Sequence, residues 1–184
     1  MTGFGPPDAE YRSSARRDQQ DGQVSAIVIG ASTGGLSGVT TICEMVRGDI
    51  RRAVVLVALH LPAGFTGAVA SHIALTSGAP VRVSTNNAVA EPGYVYLASS
   101  GAHLTVSRVG GRVVLRHDSG ALLNGCRPAA DALFTAAADV YADRLACVVL
   151  SGNGLDGLAG ARAVASRGGL VLAQDRASST AWGM

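Results

Sequence analysis

The chain contains no lysine; all fifteen of its basic residues are arginine. That excludes a catalytic lysine or a Schiff base within the chain. Aromatic residues make up only 4%, too few for the stacking platforms of nucleic-acid binders. The net charge of +2 is too small to imply a polyanionic partner. The longest strongly apolar run, Ala53–Leu59, is far too short to cross a bilayer. The N-terminus has no apolar core of a signal peptide. Cysteine is scarce: Cys43, Cys126 and Cys147 are odd in number, widely spaced and set among apolar neighbours. They read as buried free thiols in a reducing compartment, and no metal-ligand spacing is present. The expectation is a soluble cytoplasmic protein with no cofactor, no nucleic-acid partner and no membrane insertion.

What is there fits a single globular domain. The 184 residues are 48% hydrophobic and 15% charged, with 24 glycines. Met1 to about Gly22 is polar, with Pro6-Pro7, Arg16-Arg17 and Gln19-Gln20, and reads as a flexible tail preceding a domain over residues 23–184. Buried strands are expected at Val24–Ile29 and Ala53–Leu59, and shorter ones at Val81–Val83, Tyr94–Leu97, Ala146–Leu150 and Leu170–Ala173. Helices are expected at Leu36–Val46, Phe65–Leu75, Pro128–Tyr141 and Asp156–Ser166. In the second of these, Phe65, Val69 and Ile73 recur at fourfold spacing. Leu104–Val109 and Arg112–Leu115 alternate about Gly110-Gly111, a hairpin signature. The pattern implies an α/β fold. It is a doubly wound, mostly parallel sheet with helices on both faces and an antiparallel hairpin near one edge.

Chemistry concentrates where strands end. Gly30-Ala31-Ser32-Thr33-Gly34 directly follows the first strand in a G-x-S-x-G pattern. A tight glycine-flanked turn exposes a serine hydroxyl and brings backbone N–H groups near it. Taken alone, the same turn also reads as a helix cap. His60 follows the second strand, and Asp156 lies in the glycine-rich loop Ser151–Gly157 after a later one. Sites of open parallel sheets form beyond these carboxyl ends. Ser32, His60 and Asp156 would supply a nucleophile, its base and an orienter for the base. The usual order in α/β-hydrolases, Ser then acid then His, cannot use Asp118, Asp131 or Asp156, which no histidine follows; Glu91 or Glu44 with His103 or His117 stays formally open, but none of these ends a strong buried strand. Backbone N–H groups near Thr33 and Asn153 are expected to form an oxyanion hole. A dinucleotide site is weaker, since Gly30-Ala31-Ser32-Thr33-Gly34-Gly35 is not G-x-G-x-x-G. His103 reads as a structural or pocket-rim residue, and His72 and His117 as solvated surface. Asp131 reads as a first-turn acid stabilised by the helix dipole.

Four blocks carry a resemblance. They are Ile29–Gly35, His60–Thr66, Arg127-Pro128 with Asp131–Phe134, and Ser151–Gly157. With Pro92–Ala98, Gly101–Leu104 and Ala173–Asp175, the chain resembles the catalytic domain of the bacterial chemotaxis protein-glutamate methylesterase, CheB, over about Val24 to Met184. The resemblance implies a Ser32–His60–Asp156 triad and an acyl-enzyme. It implies hydrolysis of glutamate γ-methyl esters, and deamidation of glutamine, on a methylated receptor or other protein substrate. Arg127 would bind an acidic substrate segment. Departures also stand out: the family's receiver domain is absent, Leu59 and Leu61 flank the histidine, and Asn153 replaces a methionine. The family normally continues past Gly183-Met184, so uncovered apolar surface is expected. These departures motivate a second reading, a non-catalytic regulatory or binding module that keeps the fold. A nucleotide-binding α/β protein is a remote third. The oligomeric state is not legible.

Overall fold

A computed structural model describes residues 23–184. The expected tail, Met1 to Gly22, lies outside the described residues. Six parallel strands form the main sheet in the order β3-β4-β2-β1-β7-β8. They are β1 (Ala26–Ala31), β2 (Val54–Leu59), β3 (Val81–Val83), β4 (Val95–Leu97), β7 (Leu145–Val149) and β8 (Leu170–Ala173). The two inner strands β1 and β2 are continuous Val/Ile/Leu/Ala runs, as strands covered on both faces must be. Alternate residues feed two cores. Val28, Leu56 and Cys147 face one, and Ile29, Val57 and Val148 the other.

Helices α1 (Gly35–Val46) and α2 (Thr66–Ser77) cover the second face. Helices α3 (Ala130–Tyr141) and α4 (Leu158–Ser166) cover the first. The doubly wound expectation therefore holds. The hairpin forms from β5 (His103–Val109) and β6 (Arg112–Asp118) as a separate two-stranded sheet. Its Leu104, Val106 and Leu115 join the α3-side core. The outer side of β6 is closed by residues 87–90, through Asn87 N–H to Leu115 O and Ala90 N–H to Val113 O.

Several boundaries differ from expectation for identifiable reasons. Strand β1 runs two residues further, because Gly30 and Ala31 still pair with Ala58 and Leu59. Phe65 is not on the buried stripe of α2; it precedes the helix and is 57% exposed, while Thr66, Ala70, Ile73 and Ser77 are buried. Helix α3 starts at Ala130 rather than Pro128, and α4 at Leu158 rather than Asp156. Both apolar faces of β8 are open: Leu170, Val171 and Leu172 are 52%, 38% and 49% exposed.

Glycine at 30 sets how closely α3 approaches the sheet. A Cβ there would lie 2.7 Å from Ala130 Cβ and 3.1 Å from Phe134 Cζ. Gly160 does the same between α4 and α3, where a Cβ would lie 2.5 Å from Phe134 Cβ. Phe134 is thus the fully buried wedge on which strand and both helices close. Phe134→Ala is expected to lower unfolding free energy by about 3–5 kcal/mol, measured by urea denaturation.

Candidate active site

The central position of β1 explains the site. Its neighbours are β2 on one side and β7 on the other. The residues that follow the three strands therefore land on the same sheet edge. His60 N–H donates to Ala31 O at 3.0 Å, and Ser32 N–H donates to Ser151 O at 3.0 Å. Ser32 sits between the two flanking loops, and Gly35 N–H closes its turn onto Ser32 O at 2.8 Å.

Asp156 and His60 meet across this edge. His60 Nε2 lies 2.8 Å from Asp156 Oδ2. The carboxylate has no proton to give, so a neutral imidazole held here carries its proton on Nε2 and its lone pair on Nδ1. Asp156 is only 2% exposed, against 15% for the His60 side chain. Its two oxygens also accept Ala130 N–H at 2.7 Å and Asp131 N–H at 3.0 Å. Burial by itself pushes the Asp156 carboxyl up. The hydrogen bonds from His60, Asp131 and Ala130, together with the charge of His60, outweigh it and hold the pKa below the usual carboxylate value.

Ala130 and Asp131 open α3, so Asp156 caps a helix remote in sequence rather than its own. Asp131 returns the favour: its Oδ1 accepts Gly160 N–H in the first turn of α4 at 2.7 Å. The two helices thus exchange caps through their acids. Asn124 Nδ2 donates to Asp131 Oδ2 at 2.8 Å and reaches Asp156 Oδ1 at 3.5 Å. Sequence reading missed Asn124 and the exchange, because no local pattern marks a cap supplied from another element.

Cys126 was expected to be a buried free thiol. The structure corrects this: it is half-buried, with Sγ 3.5 Å from His60 Nδ1. Burial first, and the Asp156 charge second, push its pKa up, so it stays a thiol at neutral pH. Cys43 and Cys147 are buried as expected, their pKa values pushed up to about 11 and about 12 by burial. His117, expected on the surface, instead bonds Ser84 Oγ at 2.9 Å and is partly buried, which lowers its pKa. His103 is structural. Its Nδ1 accepts Ala129 N–H at 3.1 Å and its Nε2 donates to Ala121 O at 2.9 Å. Arg127 Nη1 donates to Ser119 O at 2.9 Å and also to Gly120 O, tying that loop.

Ser32 Oγ makes no hydrogen bond among the described residues, so its hydroxyl is free to turn. The N–H groups of Thr33 and Asn153 are also unengaged among the described residues. A cleft of about 390 Å³ opens beside His60, lined by Leu61, Leu122, Cys126, Arg127 and Pro128. A larger groove of about 520 Å³ runs along α3 past Leu123, Asp131 and Asp139 but contains neither Ser32 nor His60.

The fold and this edge define a doubly wound α/β protein that gathers a serine, a histidine and an aspartate beyond its central strands. Comparison narrows the class. The chain belongs to the CheB methylesterase family, whose model matches residues 27–184. It is 40% identical over 159 residues to a protein-glutamate methylesterase/protein-glutamine glutaminase of Nitrobacter hamburgensis, covering 86% of this chain and 42% of that protein. A second such protein, from Caulobacter vibrioides, is 37% identical over 182 residues, covering 97% of this chain and 52% of that protein. The chain therefore spans about half the length, or less, of these curated relatives. The crystal structure of the Thermotoga maritima CheB methylesterase catalytic domain superposes with a TM-score of 0.84 at 33% identity, covering 87% of this chain and 84% of that one.

The sign of the Asp156 effect yields a prediction. A carboxyl whose pKa is lower folded than unfolded stabilises the fold above the ordinary value of 3.8. That stability disappears as pH falls through the lowered folded value. Asp156→Asn is expected to cost about 1–3 kcal/mol at neutral pH, from lost charge-assisted hydrogen bonds. The gap to wild type should close in acid. Urea denaturation across a pH series measures it.

Proposed function

We propose that the domain is a serine esterase acting on glutamate γ-methyl esters of a protein substrate. The observation that carries this reading is the His60–Asp156 contact at 2.8 Å beside Ser32 on one sheet edge. Family membership and the activities for which its relatives are named supply the substrate class.

In this mechanism Asp156 holds the His60 ring through Nε2–H and stabilises the imidazolium that forms. His60 Nδ1 takes the Ser32 proton as Oγ attacks the ester carbonyl. The tetrahedral oxyanion accepts the free N–H groups of Thr33 and Asn153. His60 returns its proton to the methoxy oxygen, and methanol leaves an acyl group on Ser32. Water then attacks this ester, with His60 again as base, releasing the glutamate carboxylate. Glutamine follows the same path with ammonia leaving. Arg127, on the cleft wall beside His60, faces the approach of an acidic segment. A methylated chemoreceptor is the substrate protein that fits the family resemblance.

The non-catalytic module draws on one observation, the absence of a hydrogen bond between Ser32 Oγ and His60. Substrate-driven rotation of Ser32 is what the esterase reading requires instead, and apo contacts of this kind are often loose. Methanol release from a methyl-esterified glutamyl protein separates the two. Wild type should turn over, and Ser32→Ala should lose on the order of 10⁴–10⁶-fold in kcat. A wild type equal to Ser32→Ala would favour the module.

A further inference from the structure

We infer that the segment Thr180–Met184 is a positioning strap for the oxyanion donor at Asn153, with Gly183 as its critical residue; this rests on the esterase reading. The strap crosses the carboxyl end of β7 and is knitted to the loop that follows. Gly152 N–H donates to Ala181 O at 3.1 Å. Gly152 O accepts two strap donors, Gly183 N–H at 2.9 Å and Met184 N–H at 3.0 Å. Buried Ser151 adds a third tie: its hydroxyl accepts Ala181 N–H at 2.9 Å and donates to Thr33 O at 2.8 Å. One side chain thereby couples the strap to the turn that carries Ser32.

The consequence follows from peptide planarity. In a trans peptide the N–H points opposite to the C=O of the same unit. With Gly152 O pinned to the strap by two donors, Asn153 N–H is aimed away from the strap, and it donates to nothing among the described residues. The Ser32–Thr33 peptide is built alike, its carbonyl held by Gly35 N–H at 2.8 Å and its own N–H free. The two free N–H groups belong to turns joined by Ser151. Donors fixed in advance are what oxyanion stabilisation needs, because no reorganisation is then required in the transition state.

Packing shows how tightly the strap is seated. A Cβ on Gly183 would lie 3.0 Å from Asn153 Cα, Gly152 O and Gly154 N, all backbone atoms of the donor turn. A Cβ on Gly152 would lie 2.2 Å from Met184 Sδ and 2.7 Å from Ser32 Cβ. Strap, nucleophile and donor turn meet at a point where only glycine fits.

Adding one methyl at Gly183 therefore presses first on the donor turn, whose backbone supplies its three nearest atoms. In Gly183→Ala, kcat for the methyl ester should fall about 10- to 100-fold, less than outright loss of a donor. KM should stay within about threefold, and affinity for a methyl-ester-mimicking boronic acid, which forms a tetrahedral adduct, should fall in parallel with kcat. Gly48→Ala, where the new Cβ meets nothing within 4 Å, is the control and should match wild type. If Gly183→Ala fails to fold, Met184→Ala should lower kcat about tenfold and Met184→Leu, which refills the volume, should restore it. An active, Ser32-dependent wild type whose folded strap variants keep full kcat, or change KM alone, overturns the strap and leaves the esterase standing. A wild type with no Ser32-dependent hydrolysis overturns both.

Discussion

The carboxylate of Asp156 is answered by three donors within 3.0 Å and by Asn124 at 3.5 Å, and the arrangement of the domain follows from that requirement. A charge buried to this degree is tolerable only when its lone pairs are filled. His60 fills one position, and the first two N–H groups of α3 fill others. The same atoms therefore orient the imidazole, cap a helix and lock the loop after β7 onto that helix. Asp131 completes the exchange by capping α4. Neither helix carries a side-chain cap of its own, so α3 depends on an acid from the loop before α4, and α4 on an acid from α3.

That exchange requires close approach, and the sheet is shaped to allow it. Gly30 lets Ala130 and Phe134 rest on β1, and Gly160 lets α4 rest on Phe134. Because α3 lies this close, its N-terminus sits over the end of the strand that delivers Ser32. The positive end of a helix is then directed at the acid of the site, which favours the ionised form. Helix capping and the orientation of the His60 ring share one contact set here, so the ring is oriented as soon as the helices dock.

Much of this was legible in the residues. Continuous apolar runs identified the strands of the main sheet, alternation about Gly110-Gly111 identified the hairpin, and the positions of Ser32, His60 and Asp156 at strand ends placed them on one edge. What stayed illegible depended on contacts between distant segments. The starts of α3 and α4 were misjudged because their caps come from elsewhere in the chain. Phe65 matched a helical stripe by spacing, yet the helix begins after it. Cys126 read as a buried free thiol because nothing in its neighbours signals that the loop carries it onto His60. His117 looked solvated because Ser84 is thirty-three residues away. The strap over Gly152 had no local signature either; its donors are backbone N–H groups, which every sequence supplies.

The account stands on Ser32 being a nucleophile made reactive by a histidine that Asp156 holds. The most direct measurement is intact-mass analysis after exposure to a fluorophosphonate, followed by peptide mapping. It predicts one adduct per chain, on Ser32, that vanishes in a folded His60→Ala variant. A folded wild type left unlabelled, or labelled at Ser32 equally well without His60, would contradict it.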